Sequence, residues 1–376
     1  MTNLLWPGDH RAGEHMTDRA LLQSMVAMES AWLGALAEAD LAPADCAHAD
    51  LSHLVNPNDC ELIACTAEDG GNPIIGLVEL LRQRSVPAIA PWIHRGLTGQ
   101  DVLDTSLMLA VRAVAEAVIA QLTQQISALS ALARAHRATP MVARTLTQYA
   151  APTTFGAKAA RWLNGVTDAG DPAAVSDRLV QSTATALGLD VRPPWHTTRT
   201  PVTTAADALL GCSDCWGHIA SDVVTLGRPE IAELSEPATE KRGGSSSMPH
   251  KRNPVLSILI RRAAMSAPQL AATLHTAAAL ANDERPDGSW HAEWDTLRTL
   301  ARRTVVAGSQ CVELLAGLQV HSMQMAENLG TADVLGEQRE IAELAGKPAS
   351  PTYLGAVDRL IDWSLARAER LLADRS

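Results

Sequence analysis

The sequence predicts an all-α protein built on long helices, and three observations carry that prediction. Leu103, Leu107, Val111, Val114, Val118, Leu122, Ile126, Leu129 and Leu132 recur by threes and fours without a break, which is the spacing of one helical face. A rod of that kind reaching about His136 is roughly 50 Å long, well above the usual helix length, and so needs partners of similar length. Hydrophobic residues make up 47% of the chain while aromatics are 3%, with Phe155 the single phenylalanine; an interior of Ala, Leu and Val suits closely packed helices. No segment alternates apolar and polar residues convincingly enough to read as a strand.

In chain order, Asp18 to Ala39 reads as an amphipathic helix, with Leu21, Leu22, Met25, Met28, Trp32, Leu33 and Leu36 on one side. Short pieces follow as far as Pro91, broken at Asn56-Pro57, Gly70-Gly71-Asn72-Pro73 and Pro87. The long rod comes next. A helix through Lys158, Trp162 and Val166 then stops early at Asp168-Ala-Gly-Asp-Pro172, at less than half its neighbour's length. Further helices are expected over about Thr203 to Glu233, Pro254 to Asn282 with a bend at Pro268, and Trp290 to Gly317. The tail holds one helix, Ala356 to Ala373. This divides the chain into an N-terminal helical domain (1–95), a central long-helix bundle (96–317) and a short C-terminal helical domain (318–376). No short-period repeat is present.

A chain of 376 residues can bury a sizeable core. Its net charge of −11 and lack of basic runs argue against a nucleic-acid partner. Small anions remain suitable ligands, because local basic residues decide that. The first fifteen residues contain no apolar core of signal-peptide length, and no charge-free stretch approaches the ~18–20 residues of a membrane span, so a cytoplasmic location is expected. Six cysteines in a chain this long do not form a disulfide framework, and Cys212-Ser-Asp-Cys215 has no second pair to make a metal site; buried structural thiols are expected.

Three polar loops stand at helix ends. The first is His94-Arg-Gly-Leu-Thr98-Gly-Gln100-Asp101; the second runs from Arg144 to Gly156. The third is Gly243-Gly-Ser245-Ser-Ser-Met-Pro-His-Lys251-Arg-Asn253-Pro254. A Gly-Gly-Ser-Ser-Ser run can swing. Asn253 followed by Pro254 reads as a helix N-cap and first helical residue. A mobile, hydroxyl-rich loop hinged on a helix start beside Lys251 and Arg252 is an arrangement for handling an anion.

Together the loops resemble the three signature regions of the fumarase/aspartase superfamily, in matching order over about residues 15–330. The third is the most specific. Met-Pro-His-Lys-Arg-Asn-Pro also occurs in adenylosuccinate lyases, but Glu236-Pro-Ala-Thr-Glu-Lys-Arg, Pro194-Trp-His-Thr-Thr-Arg199, Asp101-Val-Leu-Asp-Thr105 and Trp290-His-Ala-Glu-Trp294 resemble the bacterial 3-carboxy-cis,cis-muconate cycloisomerase family. The resemblance implies a homotetramer with a twenty-helix core and active sites built from three subunits. It also implies interconversion of 3-carboxy-cis,cis-muconate, a small anionic tricarboxylate, with its lactone, in the protocatechuate branch of the β-ketoadipate pathway, without metal or organic cofactor. A fumarate-releasing lyase and a non-catalytic oligomeric homologue are the other readings.

By this resemblance Ser245 is the proton carrier. Lys251, Asn253 and the free N–H groups of the following helix stabilise the aci-carboxylate dianion, since developing charge needs preorganised donors. Ser246 and Met248 lie beside substrate. His94, Thr98 and Gln100 are expected to contact a substrate carboxylate, as are Thr145, Gln148, Tyr149 and Thr153 of the second region. His196 and Arg199 either clamp a carboxylate, for which the arginine fork is suited, or stabilise their turn. His291 and Glu293 orient the last long helix, and His10, His15, His48, His53 and His136 read as surface residues. Three features depart from the superfamily. Gly99 stands where a serine is usual, Leu146 stands where many relatives place a catalytic histidine, and roughly half a helical rod is absent between Trp162 and Trp195.

Overall fold

The computed structural model describes residues 3–170, 195–237, 242–244, 252–331, 334–346, 348 and 354–374. Its helices are α1 (Asp18–Glu38), α2 (Asp59–Gly70), α3 (Ile74–Arg84), α4 (Gly99–Ala135), α5 (Phe155–Ala169), α6 (Thr200–Leu226), α7 (Val255–Ala279), α8 (Gly288–Ala316), α9 (Ser322–Gly330), α10 (Gly336–Leu344) and α11 (Val357–Ala373). The fold is all-α in character, as the periodicity predicts. From Leu103 to Leu129 every apolar position of the α4 stripe is buried. Helix α7 runs through Pro268.

Two expectations need correction. The second polar loop is an antiparallel hairpin, β1 (Pro140–Thr145) against β2 (Gln148–Thr154). Its two-residue connection, Leu146 and Thr147, has φ of 48° and 69°, the left-handed geometry of primed hairpin turns. Neither residue is the glycine, asparagine or aspartate that announces such a turn, so sequence periodicity missed it. A shorter antiparallel pair, β3 (Leu234–Ser235) with β4 (Gln319–Val320), joins segments distant in the chain. The tail holds α9 and α10 besides α11, and α6 stops at Leu226 because Gly227 and Pro229 end it.

The chain forms two compact units. One comprises Met1–Ala117, Val175–Asp207 and Gln269–Arg303, and the other Val118–Ala174, Ala208–Pro268 and Thr304–Ser376. In the first, Leu22, Met25, Val26 and Leu33 of α1 are buried with Leu77 and Leu81 of α3 and Leu103 and Leu107 of α4. By length and composition α1 could cross a membrane, although it contains no charge-free run of that length. Its buried face and a fully buried Glu29 at its middle, paired with a histidine, are those of a core helix. In the second unit Phe155 packs edge-on to Trp162 and His136. The Trp216 indole donates to Gln125 Oε1 at 2.7 Å, and Gln125 Nε2 donates to the Gly308 carbonyl at 3.1 Å. His136 is therefore partly buried, and so is His15; His10, His48 and His53 are exposed.

Candidate active site

The first loop is built in the first unit. Ile93 is fully buried and its carbonyl accepts from Arg82 at 2.8 Å, while Trp32 Nε1 donates to the Arg95 carbonyl at 2.7 Å. Between these anchors His94 takes a left-handed φ of 61°, and its Nδ1 lies 2.6 Å from Glu29 Oε1. Thr98 and Asp101 form a capping box for α4. The Thr98 hydroxyl accepts from the N–H groups of Gln100 and Asp101 at 3.2 and 3.4 Å, and Asp101 Oδ2 accepts from the Thr98 N–H at 2.8 Å. The other oxygen of Asp101 holds His196 Nε2 at 2.8 Å. Gln100 is buried; its Nε2 donates to Asp104 and to the His196 carbonyl, and its Oε1 has no partner among the described residues. Thr98, Gln100 and His196 are thus gathered around Asp101.

A cavity of about 310 Å³ adjoins them, lined by Asn72, Gly99, Gln100, Arg285, Trp290 and His291 among others. Asn72 and Arg285 were not anticipated. Gly70-Gly71-Asn72-Pro73 reads as a breaker, and Arg285 lies in a charged turn. Asn72 accounts for Gly99. A Cβ at position 99 would stand 3.1 Å from Asn72 Oδ1, which accepts from the Ile74 N–H at the start of α3. The room a serine would use is taken by that carboxamide.

Arg199 is not a substrate clamp. It is 2% exposed, and its donors are spent on both oxygens of Glu293 and both of Asp104, with N–O distances from 2.5 to 3.1 Å. Trp290 Nε1 adds a bond to Asp104 at 2.9 Å. Burial pushes the Glu293 carboxyl above its usual range, with Arg199 opposing the shift. The triad is a buried strut one helical turn beneath Gln100. His291 ties the carbonyls of Asp287 and Gly71 together.

The second and third loops belong to the second unit. Thr145, Gln148 and Tyr149 are exposed at the hairpin tip with Leu146, which is 94% exposed. Thr153, opposite Met141 in the hairpin register, is buried. Arg144 of β1 makes a bidentate pair with the fully buried Glu233 at 2.7 and 2.9 Å. Burial works against the arginine's charge, but Glu233 outweighs it and holds the proton more firmly than water does. Glu233 also accepts from Asn328 of α9 at 2.8 Å.

In the third loop, Ser245, Ser246, Met248 and Lys251 lie outside the described residues. The loop's root is described. Gly243 (φ 77°) accepts from the Asn253 N–H at 2.8 Å and from Asn253 Nδ2 at 3.2 Å. A Cβ at Gly243 would meet the Asn253 carbonyl at 2.7 Å, so only glycine fits. Asn253 is therefore a clamp on the loop rather than the N-cap the sequence suggested. The helix begins one residue later, at Val255, and its cap is Glu236, whose carboxylate accepts from the Leu256 and Ser257 N–H groups at 3.0 and 2.7 Å. Those two N–H groups, expected to serve a substrate anion, already serve an internal one. A cavity of about 230 Å³ lies along this root, lined by Glu236, Arg242, Gly243, Arg252 and Asn253. The residues of the hairpin do not line it.

A family model described as lyase matches residues 14–186 and 163–268. Nitrosuccinate lyase of Streptomyces davaonensis is 39% identical over 396 residues, 96% of this chain and 82% of the relative. That alignment is longer than the 376-residue chain, so the relative carries residues this chain lacks within the matched stretch. The 3-carboxy-cis,cis-muconate cycloisomerase of Bradyrhizobium diazoefficiens is 38% identical, covering 83% of this chain and 75% of its own. Among solved structures, the 3-carboxy-cis,cis-muconate lactonizing enzyme of Pseudomonas putida aligns with a TM-score of 0.83 at 27% identity, over 96% of this chain and 97% of that one.

Proposed function

The chain belongs to the fumarase/aspartase superfamily of lyases, and from that membership we propose that it removes a proton α to a carboxylate and expels a weakly basic anion from the adjacent carbon. The observation that carries this reading is Leu146, exposed at the hairpin tip where many superfamily members are expected to hold a catalytic histidine. A leucine cannot protonate a leaving group. Amines and amides leave poorly without a proton; nitrite and carboxylate leave as stable anions.

A 2-nitrosuccinate-like substrate meets that condition. Loss of the C3 proton and of nitrite from C2 leaves fumarate, with one proton released. Ser245 takes the proton, while Lys251 and Asn253 stabilise the dianion through which the reaction passes. His94, Thr98, Gln100 and His196 hold a substrate carboxylate. Thr145, Gln148 and Tyr149, exposed in their own unit, are presented to the site of a neighbouring subunit in a homotetramer. A second reading, conversion of 3-carboxy-cis,cis-muconate to its lactone, is favoured by the Trp195 to Arg199 and Trp290 to Trp294 strings. Its leaving group in reverse is a carboxylate, which also needs no proton.

Purified protein offered nitrosuccinate should release nitrite and fumarate in equal amounts. Ser245→Ala should abolish release while light scattering still shows the same oligomer. Comparable turnover of adenylosuccinate, whose leaving group is an amine, would overturn the reading based on Leu146.

A further inference from the structure

Glu29 combines two costs at one point of the fold. It sits in the middle of α1 with no solvent exposure, and its Oε2 has no hydrogen-bond partner among the described residues. A carboxylate buried with so little compensation is expensive. Its Oε1 meets His94 Nδ1 at 2.6 Å, across 65 positions of sequence. His94 carries the second cost, a left-handed backbone at φ 61°, a conformation that persists only where its surroundings over-determine it. Those surroundings are present, in the Arg82 bond to Ile93 and the Trp32 bond to Arg95. Both costs fall on the placement of a single imidazole ring.

We propose that Glu29 is a positioning residue for His94. A carboxylate oxygen only accepts, so it selects the ring orientation and tautomer in which Nδ1 carries the proton toward α1. Nε2, which has no partner among the described residues, is then the nitrogen presented by the first loop to substrate. A flipped ring would set carbon against Glu29 and turn both nitrogens away from their work. Glu29 acts only through His94 and does not touch substrate. The inference rests on the placement of His94 in the site given above.

The test is a double-mutant cycle on the purified protein with nitrosuccinate as substrate, or 3-carboxy-cis,cis-muconate if nitrosuccinate is not turned over. Glu29→Gln can also donate to Nδ1 and so no longer selects one tautomer. For a histidine bound to a metal, loss of the partner behind the ring commonly costs about 10–100-fold; on that scale we expect kcat/KM to fall by about 10–100-fold with an unchanged melting temperature. Glu29→Asp keeps the charge one methylene short and should lose less; it serves in place of Glu29→Gln should that variant fail to fold. Combined with His94→Asn, either substitution should add nothing further, because its effect passes through the ring. Losses that multiply, or full activity in the Glu29 variants when His94→Asn alone is impaired, would overturn the inference and leave the placement of His94 standing. Full activity in His94→Asn would overturn both.

Discussion

Arg199→Met tests the strut beneath the first loop. The guanidinium satisfies four carboxylate oxygens, two on Asp104 and two on Glu293, at sites 4% and 1% exposed. Methionine keeps much of the volume and removes the charge, leaving two buried carboxylates. Asp104 would retain Trp290 and Gln100 as donors; Glu293 would lose the one hydrogen-bonding partner it has among the described residues. Breaking a buried pair costs about 3–5 kcal/mol, a large share of the ~5–15 kcal/mol that holds a typical domain. Urea denaturation followed by circular dichroism, at one protein concentration, reads that loss as a shift in midpoint at constant slope. The pH dependence gives a sharper sign. Burial already raises the Glu293 carboxyl despite Arg199, and without the arginine that shift grows. A carboxyl raised in the folded state contributes stability present at low pH and lost as pH rises through its folded value. The deficit of the variant should therefore be smaller at pH 5 than at pH 8. A loss below about 1 kcal/mol, or one that does not change over that range, would refute the idea of a dry, charge-balanced triad.

Three other outcomes are expected. Glu236→Ala removes the acceptor for Leu256 and Ser257 and should cost roughly 0.5–2 kcal/mol in thermal denaturation, with Glu236→Gln recovering most of it. Gly308→Ala would set a Cβ 2.1 Å from Gln121 Oε1 and 2.8 Å from the Trp216 ring, an overpacking that costs about 1–3 kcal/mol by the same measurement. Burial pushes the Cys212 thiol up to about 12 and raises Cys311 as well. Alkylation of the native protein at pH 8, read by mass spectrometry, should label the exposed Cys65 and spare those two until the protein unfolds.

The long helices were legible because their periods are long: nine apolar positions on α4 leave little freedom of assignment, and its observed end at Ala135 lies one residue from the expected His136. The hairpin was not legible. Its strands are short, Pro152 interrupts the second, and its turn places Leu146 and Thr147 in a conformation their side chains disfavour. The loops themselves announce polar side chains in fixed order, and the structure links three of them, Thr98, Gln100 and His196, by hydrogen bonds.

The acids that hold those loops could not be read in the same way. Glu29 acts on His94 from 65 residues away, Glu233 on Arg144 from 89, and Glu293 on Arg199 from 94. Glu29 and Glu233 complete no local pattern, and a glutamate without one is by default read as solvated surface; Glu293 is named in the sequence reading as orienting its helix, but without its partner. The same blindness left Arg199 open between clamping a ligand and bracing its turn. Whether an arginine clamps a ligand or braces a fold depends on where its carboxylate partner comes from, and for Arg199 both partners are internal. Even Glu236, only twenty residues from the helix it caps, was displaced in the sequence reading by Asn253, a better local capping residue that the fold uses to close the loop at Gly243. The motif records the order of polar side chains along each loop, and the carboxylates behind it become visible only once burial shows which charges have no water to turn to.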